Sequence, residues 1–121
     1  MDHTSAQQFA EEWYAAWNAH DLERILSHYA DDVEMASPLV SALAGQADGR
    51  IIGKDALRAY FAAGLEKYPA LHFEPLGLFV GVTSLVLHYL TVNGQPSAEV
   101  LFLDEDGKIA RYFAHYTDAG H

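Results

Sequence analysis

Pro69 divides this sequence into two hydrophobic patterns, and that division restricts the fold more than any other feature. Before it, apolar residues recur at spacings of three and four, the repeat of a helix with one buried face. After it, the period falls to two, the repeat of a β-strand. A chain with helices first and an antiparallel meander afterwards is expected to form an α+β domain, with the helices packed on one face of the sheet.

The helical half reads as three segments. Residues 4 to 19 place Ala6, Phe9, Ala10, Trp13, Ala16 and Trp17 on one side, with Thr4 or Ser5 as the cap. Asp21 caps a short second helix with Leu22, Ile25, Leu26 and Tyr29 inward, and Asp31 and Asp32 close it as helix-end residues. "VEMAS" at 33 to 37 is a short strand stopped by Pro38. "LVSALAGQADGRIIG" is a long irregular connection, the kind that lies over a functional surface. The third helix runs from about Lys54 to Tyr68. Its apolar side is Leu57, Tyr60, Phe61, Gly64, Leu65 and Tyr68. Four strands follow, over 71 to 80, 82 to 92, 97 to 103 and 109 to 117, with turns at "NG" (93–94) and "DEDG" (104–107). No linker splits the chain, so residues 1–121 are expected to form one domain. The strands are apolar on both faces. Helices cover one, and a second copy of the chain is the expected cover for the other.

Charge and composition narrow the function. Seventeen acidic residues stand against seven Lys and Arg, a formal net charge of −10. Such a surface repels phosphate backbones and anionic lipid, which argues against nucleic-acid and membrane partners. No cysteine is present, so thiol nucleophiles and thiolate metal sites are excluded. Seven histidines show no HExxH or similar pairing, so neither a metal nor a cofactor is expected. The N-terminal residues lack the basic and apolar blocks of a signal peptide, and no apolar run approaches ~20 residues. A cytoplasmic location is the expectation.

The hairpin "HYLTVNGQPSAEV" carries the candidate chemistry. Side chains alternate faces along a strand, so the loop length decides which residues share a face. A two-residue loop at Asn93-Gly94 sets His88 opposite Glu99. A four-residue loop, "NGQP", sets Leu90 opposite Glu99 with His88 diagonal to it. In either register His88 and Glu99 share a face with Val86, Leu90 and Leu101, and Leu87, Tyr89, Ala98, Val100 and Phe102 take the other. A carboxylate among apolar neighbours raises its pKa or recruits a partner, and an imidazole is such a partner. An acid/base pair lining a cavity is the functional reading, and a structural polar pair is the plain one.

Taken together, "FAEEWYAAWNAHDLERILSHYADDVEMASP", "GKDALRAYFAAGL" and "NGQPSAEVLFLDEDGKIARYFAHY" resemble the SnoaL-like proteins of the NTF2-like superfamily. That group includes polyketide cyclases and relatives of ketosteroid isomerase. The resemblance spans about Phe9 to Tyr116. It implies a cystatin-like α+β roll: a curved antiparallel sheet wrapped as a cone around three helices, enclosing an apolar pocket and commonly dimeric through the outer sheet face.

The isomerases' catalytic aspartate precedes the proline that ends the first strand, and Ser37 stands there. Their oxyanion tyrosine falls at Trp13 and their second oxyanion acid at Glu99. Tyr29 keeps a supporting tyrosine, while Phe61 replaces another. The cyclases resemble this chain more, with a pocket histidine and an acid on neighbouring strands, as His88 and Glu99 would be.

The implied site has Glu99 and His88 as catalytic residues, with Trp13, Trp17, Tyr29, Ser37, Tyr112 and Tyr116 as its lining. The ligand is a small apolar, cyclic or aromatic organic molecule, handled by cofactor-free acid/base chemistry of isomerase, cyclase or hydratase type. A non-catalytic ligand-binding dimer and a dimer whose cone is filled by its own side chains are the alternatives. Arg111, Phe113 and His115 face the dimer side.

Overall fold

A computed structural model describes residues 1–40 and 48–117. Gly45 and much of the long connection, together with His121, lie outside the described residues.

Helix α1 (His3–Asn18) buries Ala6, Ala10, Trp13, Tyr14, Ala16 and Trp17. Its cap is Asp2, not Thr4 or Ser5: the Asp2 carboxylate accepts from the Ser5 amide at 2.7 Å. Asp21 caps α2 (Leu22–Leu26) as expected, accepting from the Arg24 amide. Helix α3 (Lys54–Lys67) buries Leu57 and Phe61.

Among the described residues, six strands form one sheet: β1 (Tyr29–Ala36), β2 (Arg50–Ile52), β3 (Glu74–Val80), β4 (Ser84–Leu90), β5 (Pro96–Leu103) and β6 (Ile109–Tyr116), in the order β2-β1-β6-β5-β4-β3. The sheet is mixed and not purely antiparallel, because β1 runs parallel to β6. That pairing joins distant parts of the chain, so no local turn announces it. Strand β1 starts four residues earlier than its apolar run suggests. Asp31 and Asp32 are therefore exposed strand residues rather than helix ends, and they lie where the register with β6 shifts between Tyr29 and Glu34. The three-residue β2 sits within the stretch read as irregular.

The largest correction concerns β4 and β5. Their partners are Leu87 with Glu99, His88 with Ala98, and Leu90 with Pro96. The connection is thus the five residues 91–95, closed by the Thr91 amide on the Gln95 carbonyl at 2.8 Å. Asn93 and Gly94 have positive φ (59° and 67°), as the "NG" signal requires. An odd loop pairs residues of equal parity, whereas both registers weighed above were even. His88 and Glu99 therefore lie on opposite faces of the sheet. Glu99 points inward with Leu85, Leu87, Tyr89 and Leu101, all nearly fully buried. His88 points outward beside Val86, Ala98 and Val100, none of which is fully buried. Both faces are apolar, so burial did not disclose the register.

Inside the cone, Trp13 is fully buried among the rings of Tyr14, Trp17, Phe73 and Tyr89, with centroids 5.2–6.0 Å away. Asn18 fixes Phe73 in that cluster, donating to its carbonyl at 3.1 Å and accepting from its amide at 2.7 Å. No helix among the described residues is long and apolar enough to cross a membrane.

Candidate active site

Glu99 is 1% exposed at the middle of β5. The Tyr89 hydroxyl donates to its Oε1 at 2.6 Å, and Oε2 has no hydrogen-bond partner among the described residues. Desolvation is the dominant influence on this carboxyl and raises its pKa from 4.5 to about 8, with the Tyr89 and Tyr112 hydroxyls pulling weakly the other way. Tyr112 stands close enough to act electrostatically, although it makes no hydrogen bond to Oε2. At neutral pH Glu99 is therefore a carboxylic acid, able to donate its own proton in a hydrogen bond.

The charged form would also burden its neighbours. Burial, followed by the Glu99 carboxylate, raises the pKa of Tyr89 and Tyr112 well above the ordinary phenol value. Burial likewise raises Tyr60 to about 12, with the Ser37 hydroxyl opposing the shift. All three tyrosines keep their protons near neutrality, and Tyr89 donates its own to Glu99.

Glu99 forms part of the wall of a cavity of about 80 Å³. Met35, Phe61, Phe73 and Trp17 make its apolar surface, and Tyr60, Tyr89, Tyr112 and Tyr116 bring hydroxyls to it. Tyr68, Leu71, Thr91 and Val92 also line it, and each is partly exposed. The cavity therefore meets the surface between the end of α3 and the β4–β5 turn. This space has room for several waters, each needing about 10–15 Å³. It is about half the volume of the roughly 150 Å³ apolar cavity that takes up benzene. The cone is thus largely filled by its own aromatic side chains. A guest as large as one six-membered ring enters only with movement of the wall.

The expected site residues divide into three groups. Glu99, Trp17, Tyr112 and Tyr116 meet at the cavity. Trp13 and Tyr29 lie behind the wall: the Trp13 indole donates to the Tyr29 hydroxyl at 3.1 Å, and both residues are fully buried. Ser37 does not line the cavity; its hydroxyl accepts from the Leu39 amide at 3.1 Å. His88 lies outside altogether, so the expected His88–Glu99 pair is not formed. The even-loop registers place Tyr89, the partner of Glu99, on the opposite face. Helical spacing marks Tyr60 and Tyr68 only as part of an apolar side, and both line the cavity.

A family model for the SnoaL-like domain matches residues 10–112. The chain belongs to the SnoaL-like family. A SnoaL-like protein of unknown function from Burkholderia thailandensis is 43% identical, with 96% of this chain and 97% of that one aligned at a TM-score of 0.93. A candidate isomerase of the SnoaL-like family from Agrobacterium tumefaciens is 18% identical (TM-score 0.75, 94% and 98% covered). AclR, a candidate hydroxylase from Streptomyces galilaeus, is 17% identical (TM-score 0.74, 98% and 92% covered). At those identities the latter two establish the fold alone. No curated protein matches the chain significantly. Ser37 precedes Pro38, and Glu99 is the one carboxyl group among the described residues that line the cavity.

Proposed function

We propose that this SnoaL-like protein binds a small, neutral carbonyl compound, with protonated Glu99 donating a hydrogen bond to the ligand oxygen. The buried Glu99 carboxyl on the cavity wall carries this reading. Neutrality of the ligand follows from the wall, where no Lys, Arg or His is found among the described residues to pair with an anion. With His88 outside, two-residue acid/base chemistry lacks its second partner. Binding and carbonyl polarisation are what the remaining groups support.

The pH dependence of binding tests this. Affinity for small ketones and lactones, followed through Trp17 fluorescence or calorimetry, is expected to be flat below pH 7. It should fall as pH rises through about 8, where Glu99 loses its proton. Gln is a neutral mimic of the protonated acid: its oxygen accepts from Tyr89 and its amide donates to the ligand. The Glu99→Gln variant should therefore bind independently of pH. A native affinity that rises with pH would count against the reading.

The pKa near 8 also favours turnover as a second reading, since an acid poised near neutrality can protonate a carbonyl during enolisation or hydration. Glu99→Gln would then retain affinity and lose turnover.

The outer sheet face is the dimer surface in this account. Val86, Val100 and Phe113 form an apolar row across three strands there, each partly buried in the isolated chain. Light scattering should give twice the chain mass for the native protein and the single-chain mass for Val100→Glu. A native protein that stays monomeric at high concentration would remove the dimer from the account.

A further inference from the structure

A ring enters the cavity only where its wall yields, and one stretch of wall is held more loosely than the rest. Trp17, Met35, Phe61, Tyr89 and Tyr112 sit on helices or strands, where neighbouring backbone bonds fix them. At the mouth, Thr91 and Val92 belong to a turn closed by the Thr91–Gln95 bond of 2.8 Å and the Gly94–Thr91 bond of 3.1 Å. The facing lip is different. Tyr68, Leu71 and Phe73 line the cavity from residues 68–73, which belong to neither helix nor strand.

Both ends of this segment are anchored. Asn18 bonds the amide and the carbonyl of Phe73, whose ring packs 4.6–5.7 Å from those of Trp13, Trp17 and Tyr89. The Tyr68 amide bonds the Gly64 carbonyl at 3.0 Å and closes α3. Between the anchors, Pro69, Ala70 and His72 are exposed, and Leu71 is half-buried at the mouth. Apart from a bond within its own turn, from the Leu71 amide to the Tyr68 carbonyl, residues 69–72 have one hydrogen bond among the described residues. It joins Nε2 of His20 to the Leu71 carbonyl at 2.7 Å. A carbonyl only accepts, so Nε2 is the donor.

His20 occupies a position where glycine is usual. The His20 amide bonds the Trp17 carbonyl and the Asp21 amide bonds the Ala16 carbonyl, the pattern that ends a helix through one left-handed residue. His20 is that residue, with φ 56°. Asp21 then caps α2, so the corner that carries Asn18 and His20 is bonded on both sides. The chain accepts an unfavourable backbone at His20 and uses the imidazole on Leu71.

We propose that residues 69–72 are a strap across the cavity mouth, hinged at Tyr68 and Phe73 and latched by His20, and that this latch sets the size of guest the pocket accepts. A guest that fits the resting space of about 80 Å³ leaves the latch closed. A six-membered ring displaces Leu71 and breaks the His20 bond, so its affinity is reduced by the worth of that bond. His20 is thus a positioning residue that discriminates between guests without touching them. The latch acts on size and not on hydrogen bonding to Glu99, so guests without oxygen test it separately from the binding reading above.

Xenon and benzene are such a pair, one a single atom and the other a ring. Each is titrated into the intact native protein and into His20→Gly, followed through the NMR signals of the Phe61 and Trp17 rings. Glycine takes up a positive φ freely, so the helix end is expected to persist and the melting temperature to stay within about 3 °C of native. Benzene should bind about fivefold more tightly to the variant, the increment of one hydrogen bond, while xenon affinity stays the same. Hydrogen exchange of the unliganded proteins locates the opening: the Leu71 amide should exchange about fivefold faster in the variant, and the Phe73 amide at its native rate. Equal benzene affinity in the two proteins would overturn the proposal, as would failure of both to take up benzene. An equal gain for xenon and benzene, or faster exchange at Phe73 as well, would show a general loosening of the core in place of a latch and would equally sink it.

Discussion

Glu99→Gln is expected to raise the melting temperature at pH 7 by roughly 10 °C and to leave it almost unchanged near pH 4.5. The cause is the difference in proton binding between folded and unfolded chains. In the folded protein burial holds the Glu99 pKa near 8, and in the unfolded chain it returns to about its ordinary 4.5. Below the lower value both states carry the proton, and pH has no effect through this group. Between the two, the unfolded chain releases a proton that the folded chain retains, so each rise in pH favours unfolding. At about 1.4 kcal/mol per pH unit, the loss reaches about 3 kcal/mol by pH 7 and levels off above 8. Glutamine cannot ionise, keeps the acceptor for Tyr89, and escapes the whole of that loss. Thermal unfolding of both proteins at the two pH values checks the prediction. A Gln variant less stable than the native protein at pH 7 would mean that Glu99 is a stabilising carboxylate.

Trp13→Ala is expected to cost about 3–5 kcal/mol, a large share of the ~5–15 kcal/mol that stabilises a domain. Trp13 is fully buried, touches four other aromatic rings, and donates to the otherwise enclosed Tyr29 hydroxyl. Truncation removes the ring contacts, opens a cavity, and strips Tyr29 of its donor. Trp13→Phe keeps much of the packing and should lose less than half as much. Denaturant midpoints for the two variants separate these contributions. A Trp13→Ala loss below about 1 kcal/mol would contradict the assignment of Trp13 to the core. The same substitution at Trp17, which is buried and also lines the cavity, should lower stability and ligand affinity together.

How much of this was readable beforehand varies with the range of the interaction. The faces of α1 and α3, the Asp21 cap and the strand-rich half after Pro69 followed from local spacing. So did the position of the β4–β5 turn, because Asn93 and Gly94 tolerate the left-handed backbone it needs. The register did not follow. A turn signal gives the place of a loop and not its length, and a five-residue loop reverses every facing inferred from an even one. With Val86, His88, Leu90 and Ala98 as apolar on balance as Leu87, Tyr89 and Leu101, neither face declared itself inner. One slip of parity thus replaced Tyr89 with His88 as the partner of Glu99. The β1–β6 pairing escaped for a different reason: it is a contact between distant segments that leaves no local pattern. Glu99 itself was legible, because a carboxyl group among alternating apolar residues is conspicuous in any register.

The central claim is that Glu99 is a neutral acid in the wall of the cavity. Its most direct test is a carbon-13 NMR titration of the Glu99 side-chain carboxyl, assigned by comparison with Glu99→Gln. The account predicts a Glu99 resonance that titrates near pH 8. A Glu99 carboxyl that titrates at the ordinary carboxyl value of 4.5 or below would contradict it.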